Sequence, residues 1–316
     1  MPRYIGIGQY CYANSAAMLL DTIGETVDPA LIEALTGVGL GAVLMQRRKL
    51  LFSLGAPDSG ISHALTMLGF RFVERAGRDG DPPWEALQNE LSHGPVLLGP
   101  LDMGHLAYMP NAAGLGGADH YALAYAMDDE QVFVHDPGGY PYVPIARDAL
   151  ERAWRATRVT YRRGAYRFWC RPERERAVDH AELFTQAVAS FEAIYASAAD
   201  WAERERFPIG ADAIRAFAKH ARGGAITEAE RGFMVFFSLA LGARRAHDFA
   251  RFFAPHHREL AALKTRQAEQ FGRAHAAAVA QNWMGLAETL DELADVEESF
   301  RATLVETAGV LTGRAL

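Results

Sequence analysis

Cysteine is scarce in this chain: Cys11 and Cys170 are the only two in 316 residues. Two thiols cannot make the disulfide framework of a small secreted scaffold, and at most they form one Cys11–Cys170 bridge. Met1-Pro2-Arg3 leads into Gly- and Tyr-rich sequence rather than an apolar core, so no signal peptide is expected and a reducing, cytoplasmic setting is. Long apolar runs are also missing. The longest candidate, "GFMVFFSLALGA" (Gly232 to Ala243), falls short of the ~20 residues that span a bilayer and reads as a buried helix. No membrane association is expected. There is no basic excess either. Lys+Arg number 32 against 39 Asp+Glu, for a net charge of −7, and the acidity is spread along the chain. Nucleic acid is therefore not an expected partner, because a phosphate backbone calls for a positive surface. The chain lacks CxxC, HxxxH and HExxH spacings, and "GVGLGA" follows a helix without the spacing of a dinucleotide loop. Neither a metal nor a cofactor is expected.

A hydrophobic content of 50% in a chain of this length can fill about two domain cores. The two parts differ in character. Residues 1–170 hold most of the Gly and Pro and mix helical with strand patterns. "DPALIEALTG" (Asp28 to Gly37) has an Asp cap, Pro at the first helical position and a terminal Gly. "DPPWEALQNELSHG" repeats that design, "SGISHALTMLG" predicts a helix before the strand "FRFVE", and "PVLLGPLDM" is a further β-rich run. Strands are also predicted in "ATRVTYRRG" and "AYRFWCRP". Residues 171–316 are alanine-rich with 3.6-type spacing and read as a helical domain, whose apolar faces could support a homo-oligomer. The predicted fold class is α+β, with a mixed domain over 1–170 and a helical one over 171–316.

Cys11 stands where "GIGQY" gives way to the apolar run "CYANSAAMLL", which predicts a helix buried nearly all round. Unpaired amides and the positive dipole end of such a helix stabilise a thiolate, so Cys11 is a candidate nucleophile. The alternative is a packing thiol, since free cysteine is among the most buried residue types.

A nucleophilic cysteine needs a base, and the base needs a group to hold it. "HYALAYAM" and "QVFVHDP" read as the strands of a hairpin around Asp128-Asp129-Glu130, with His120 opening the first and Asp136 closing the second. A three-residue turn makes Met127 face Gln131 and sets His120 opposite Gly138, leaving Asp136 at a diagonal on the same face. A loop longer by one residue at each end would oppose His120 and Asp136 directly. A slip of one residue would separate them. His135 projects to the other side, as a packing or surface residue.

A cysteine opening a buried helix, then a histidine and an aspartate on neighbouring strands, is the order of papain-like enzymes. More closely, "YCYANSAAMLL", "IEALTGVGLGA", "GPVLLGPLDMGHLAYMP", "DHYALAYAMDDEQVFVHDP" and "ALERAW" resemble the butirosin biosynthesis protein H family, over roughly residues 8–160. That resemblance implies a papain-like first domain that accepts an acyl group from an acyl carrier protein and passes it to a small-molecule amine. It also implies Cys11 as the acylated nucleophile, His120 as base and acid, and Asp136 as the group orienting the ring. One departure stands out. The oxyanion-hole glutamine of papain-like peptidases lies about six residues before the cysteine, and Ile5 occupies that place here. Gln9, or the Cys11 amide aided by Asn14, are the candidate substitutes. Asp102 is a candidate for holding the acceptor amine or, alternatively, a turn carboxylate.

Arginines cluster at Arg155, Arg158, Arg162, Arg163 and Arg167, and again at Arg244, Arg245, Arg251 and Arg258. Either group could dock an acidic carrier protein or be a solvated face. The expected activity is cysteine-dependent acyl transfer from a thioester to an amine. A cysteine hydrolase with the same residues and a non-catalytic binding protein on that scaffold are the alternatives.

Overall fold

The computed structural model describes residues 1–6, 9–46, 48–205 and 207–313, with backbone alone at 204 and 205. Along the chain it forms α1 (Cys11–Asp21), α2 (Pro29–Thr36), β1 (Val43–Met45), β2 (Lys49–Leu51), α3 (Pro57–Met67), β3 (Phe70–Gly77), α4 (Trp84–Leu91) and β4 (Val96–Asp102). Next come β5 (Asp119–Met127), β6 (Gln131–Asp136), β7 (Tyr140–Ala146), α5 (Arg147–Arg155) and β8 (Ala165–Arg174). The remainder is helical: α6 (His180–Glu205), α7 (Gly210–Arg222), α8 (Glu228–Phe233), a π turn (Met234–Ser238), α9 (Leu239–Phe253), α10 (Arg258–Val279) and α11 (Trp283–Thr312). The fold class is α+β.

Two compact units divide the chain, and they are not contiguous halves: one holds residues 1–32 and 57–177, the other 33–56 and 178–316. The break expected at 170/171 falls inside β8, whose pairing with β3 runs on to Arg174 opposite Phe70. The excursion at 33–56 joins the helical unit because Ala42, Leu44, Leu50 and Phe52 share a core with Phe217, Phe271 and Leu290.

In the first unit the strands form one antiparallel sheet in the order β3-β8-β4-β5-β6-β7. Its core gathers Leu98, Leu101, Ala122, Val134, Trp154 and Phe168. Strand β7 was not predicted, because Pro141 and Pro144 interrupt its sequence signal. Its place at the sheet edge is where prolines are tolerated, since an edge strand has one side without a ladder partner. The strand predicted in "ATRVTYRRG" is absent. Residues 156–164 form turns instead, and their arginine side chains are tied to carboxylates elsewhere in the unit.

In the second unit the run from Gly232 to Ala243 is helical and buried at Met234, Val235, Leu239 and Leu241, but not all round. It carries the π turn, which leaves Phe236 80% exposed and Phe237 45% exposed. Among the described residues no helix is long and apolar enough to cross a membrane. A lysine is buried in this unit: Lys264 is only 2% exposed. Its Nζ donates to Gln267 Oε1 at 2.8 Å and lies 3.8 Å from the centre of the Phe300 ring. Gln267 and Tyr195 each donate to Glu297, at 2.7 Å. Burial pulls the Lys264 amine down to about 8, against the nearby Glu297 charge, which pulls it up.

A lysine with a depressed native pKa binds its proton less tightly when folded than when unfolded. Stability therefore rises with pH between about 8 and the ordinary lysine value near 10.4. Denaturant unfolding of the wild type should gain stability over that window relative to Lys264→Met, by on the order of 3 kcal/mol. Parallel pH profiles for the two proteins would contradict the assignment.

Candidate active site

The loop before Cys11 ends in an unusual residue. Tyr10 caps α1 in the left-handed region (φ 59°, ψ 46°) and is buried, a conformation a bulky side chain adopts only when its surroundings hold it there. Asn14 does much of that holding. Its buried side-chain amide donates to the carbonyls of Gln9 at 2.6 Å and Tyr10 at 3.0 Å, while its backbone N–H makes the first helical bond to Tyr10 O. The turn aims the chain so that Cys11 opens the helix with its side chain partly exposed, while residues 12–20 are buried. Tyr12 packs edge-on against Tyr121 of β5, with ring centres 5.8 Å apart. Ile7 and Gly8, part of the Gly-rich approach, lie outside the described residues. Cys11 and Cys170 are both free thiols, so the one permitted disulfide is absent. Cys170 is buried, donates to Glu90 Oε2 at 3.4 Å and is pushed by burial up to about 12.

His120 and Asp136 come together, by a route that differs from the simple hairpin. Met127 pairs with Val132, not Gln131, around a turn in which Asp128 Oδ1 accepts from the Glu130 and Gln131 amides. That one-residue offset alone would send His120 and Asp136 to opposite faces. A bulge between Ala124 and Ala126 absorbs it, restoring the register at Leu123–His135. Carried three residues further, this register sets His120 opposite Gly138. The His120 ring Nε2 then lies 2.7 Å from Asp136 Oδ1. With Nε2 so engaged, Nδ1 is the nitrogen left for the Cys11 sulfur, with which the His120 side chain hydrogen-bonds.

Asp136 is fully buried, and both of its carboxylate oxygens accept from donors. Besides His120, Oδ1 accepts the Gly138 amide at 2.6 Å and Oδ2 accepts the Tyr108 hydroxyl at 2.5 Å. Burial alone would raise its pKa, but these donors hold it below the usual carboxylate range. The main chain is fixed too, because Tyr4 Oη donates to Asp136 O at 3.0 Å and accepts from Gly139 N at 3.1 Å. A side chain at 138 would start 3.0 Å from Asp136 Oδ1, so glycine is what lets this turn close on the carboxylate. His135 faces away, buried among Tyr4, Tyr125 and Tyr142, with Nδ1 accepting from Tyr142 N and Nε2 directed at Pro2 O.

Burial would lower the His120 pKa, but the Cys11 sulfur and Asp136 push it up to about 10. Burial likewise pushes the Cys11 thiol up, and the charge and hydrogen bond of His120 oppose that rise, while Asp119 and Asp136 reinforce it. A thiolate at this position therefore depends on its imidazolium partner. The arrangement can hold a sulfur nucleophile, deliver a proton and take one back.

The other candidates lie elsewhere or do other work. Asn14 braces the loop through its amide rather than offering it to a ligand. Gln9 is half-buried two residues before the thiol, and the Cys11 amide opens α1. Asp102 is a turn carboxylate: it accepts from Gly104 N and Gly117 N, each at 2.9 Å, and from Arg158 Nε at 2.9 Å. The first arginine group is likewise engaged internally. Arg162 lies 3.0 Å and Arg155 3.7 Å from Asp79, Arg163 pairs with Asp58 and Glu74, and Arg167 pairs with Glu74. Tyr108, Tyr4 and Gly138 were not singled out by the sequence reading. Tyr108 lay inside the stretch "GPLDMGHLAYMP", but nothing in spacing marks a tyrosine as the partner of a carboxylate 28 residues on.

The family model described as the YobF C-terminal domain matches residues 204–305. Across 304 residues the chain is 42% identical to the Bacillus subtilis (strain 168) protein named "Uncharacterized protein YobF", covering 96% of this chain and 98% of that one. At that coverage the match extends over both units.

Asp136→Asn keeps the shape of the site and removes the charge that holds His120 protonated. Iodoacetamide labelling of Cys11 at pH 7, followed by intact mass, should slow by about 10-fold or more, the equivalent of one pKa unit on the ion pair. Cys170 should stay unlabelled in both proteins. Equal labelling rates at Cys11 would show that Asp136 does not act through the ring.

Proposed function

The chain belongs to the YobF family, and from that premise and the Cys11–His120–Asp136 geometry we propose that it is a cysteine-dependent acyltransferase. The observation that carries the reading is the convergence of three side chains distant in sequence: a sulfur at the leading turn of α1, an imidazole on β5 and a buried, hydrogen-bonded carboxylate at the end of β6. The order along the chain and the antiparallel sheet beneath it support a papain-like unit, in keeping with the resemblance to the butirosin biosynthesis protein H family.

The chemistry follows from the pair. The Cys11 thiolate attacks the carbonyl carbon of a thioester, and the carbonyl oxygen gathers negative charge beside the amide that opens α1. As the tetrahedral adduct collapses, the donor's C–S bond breaks and His120 gives its proton to the departing thiolate. The neutral imidazole then accepts a proton from the incoming amine as nitrogen attacks the acyl-enzyme. Cys11 leaves as thiolate, an amide is released and the ion pair is restored. Asp136 keeps the ring oriented throughout and balances its charge. An acyl carrier protein is the proposed donor and a small amine the proposed acceptor. Because the first arginine group is paired internally, the proposal does not rest on a basic docking patch there.

Incubation with a small acyl-thioester should add one acyl mass to the wild type and none to Cys11→Ala. Adding small amines should then discharge the acyl-enzyme faster than buffer alone. Discharge at the same rate with and without amines would make the protein a hydrolase using the same residues. A Cys11 that reacts no faster than free cysteine would overturn the enzymatic reading altogether.

A further inference from the structure

Asp102 closes β4, and the chain then enters a long connection to β5 that holds no strand: residues 103–118 contain only two short 3₁₀ turns, Met103–His105 and Ala112–Leu115. Both ends of this connection are drawn to one point. Asp102 Oδ1 accepts from Gly104 N at the start and Gly117 N at the finish, and Met103 N donates to Ala118 O at 2.9 Å. Arg158 seals the junction. Its Nε lies 2.9 Å from Asp102 Oδ2, and its guanidinium is packed so closely that a Cβ at Gly116 would fall 2.0 Å from Nη2, and one at Gly104 2.6 Å. Asp102 is 1% exposed and its pKa is lowered by these donors, although burial works the other way.

The middle of the connection is pinned by Leu106 and Met109, both buried in the core of the first unit. Between them Tyr108 projects to Asp136, hydroxyl to Oδ2, and its ring rests edge-on against Tyr140 with centres 5.5 Å apart. A tyrosine on an unanchored loop would lose this bond to rotation. Here the loop is tied at its base and on both sides of the tyrosine.

We propose that Tyr108 is a positioning residue for the Cys11–His120 pair, and that the Asp102–Arg158 clasp is the device that holds it in place. The inference rests on the acyltransferase reading above and adds a regulatory element to it. By donating to Oδ2, Tyr108 fixes the plane of the carboxylate so that Oδ1 faces the ring. It also makes Asp136 harder to protonate, so His120 keeps its counter-ion, and Cys11 its charged partner, at lower pH. The route from Arg158 to the sulfur runs through contacts that can be broken singly.

The test follows the rate of Cys11 alkylation by iodoacetamide from pH 4.5 to 8.5 in the full-length protein, with circular dichroism confirming the fold of each variant. Removing one of three donors from Asp136 should move the acid limb of the profile for Tyr108→Phe upward by about half a unit to one unit. At pH 5 that is a loss of about 3- to 10-fold relative to wild type. Arg158→Met, which releases the clasp without touching the pair, should shift the limb in the same direction by less, and the double variant should shift it no further than Tyr108→Phe alone. A Tyr108→Phe profile that coincides with wild type, or that falls uniformly without a shift, overturns the positioning role. An unshifted Arg158→Met overturns the clasp. If wild-type Cys11 itself labels like an ordinary thiol at every pH, the acyltransferase reading fails and takes this inference with it, an outcome distinct from either of the others.

Discussion

The first unit is organised around a carboxylate taken out of water. Removing an ionised group from solvent is costly unless its lone pairs are met, and a single missing partner leaves most of that penalty in place. Asp136 is met by an imidazole, a phenol and an amide within 2.7 Å. Those three donors come from β5, from the 103–118 connection and from the turn after β6. Their convergence therefore fixes three segments of backbone at once. The imidazole is the one donor of the three that passes the effect onward, to the Cys11 sulfur at the start of α1.

This explains why strict local rules are broken just here. Tyr10 occupies the left-handed region, β5 carries a bulge and Asp128 takes over the turn amides. Each departure costs something locally, and each serves the same end. Without the bulge at residue 125 the offset of the turn would rotate His120 off the face that Asp136 occupies. Without the Asn14 brace, the turn ahead of α1 would relax toward a conformation that points Cys11 elsewhere.

How much of this could be read from the amino-acid sequence depends on the range of the interaction. The helices in the Asp-Pro segments, the hairpin strands and the helical C-terminal run are written in local periodicity, and the structure forms each of them, though α4 begins only at Trp84 without an Asp81 cap and the helical run only at His180. The pairing of His120 with Asp136 was legible because alternation along two strands is a short-range rule, even though the turn was counted one residue short and the bulge went unseen. Tyr108 was not legible. Its bond to Asp136 depends on how a loop is pinned by Asp102 and Arg158, 56 residues apart in sequence. Residues 33–56 were assigned to the wrong unit for the same reason: their membership is decided by Phe52 packing on Phe271, a contact across more than 200 positions. The exposure of Phe236 could not be read either, because an apolar run gives no sign of the π turn that rotates part of it outward.

The arginines carry the argument one step further. Five arginines between the end of α5 and the start of β8 suggest a surface that attracts anions, yet each is matched to Asp58, Glu74, Asp79 or Asp102 in the same unit. Pairing cancels the long-range field that would steer an acidic partner, and what is left acts over a few ångströms. Two of those carboxylates, Asp58 and Asp102, are almost wholly buried, so the arginines are engaged in keeping buried charges satisfied beneath the sheet and its loops. On the acyltransferase reading proposed above, such a unit would discriminate by shape and by individual donors rather than by a long-range field. Its selectivity would then reside in the segments tied to the Cys11–His120–Asp136 group, namely the Gln9–Tyr10 turn, which Asn14 braces, and the 103–118 connection and Gly138 turn, which bond to Asp136.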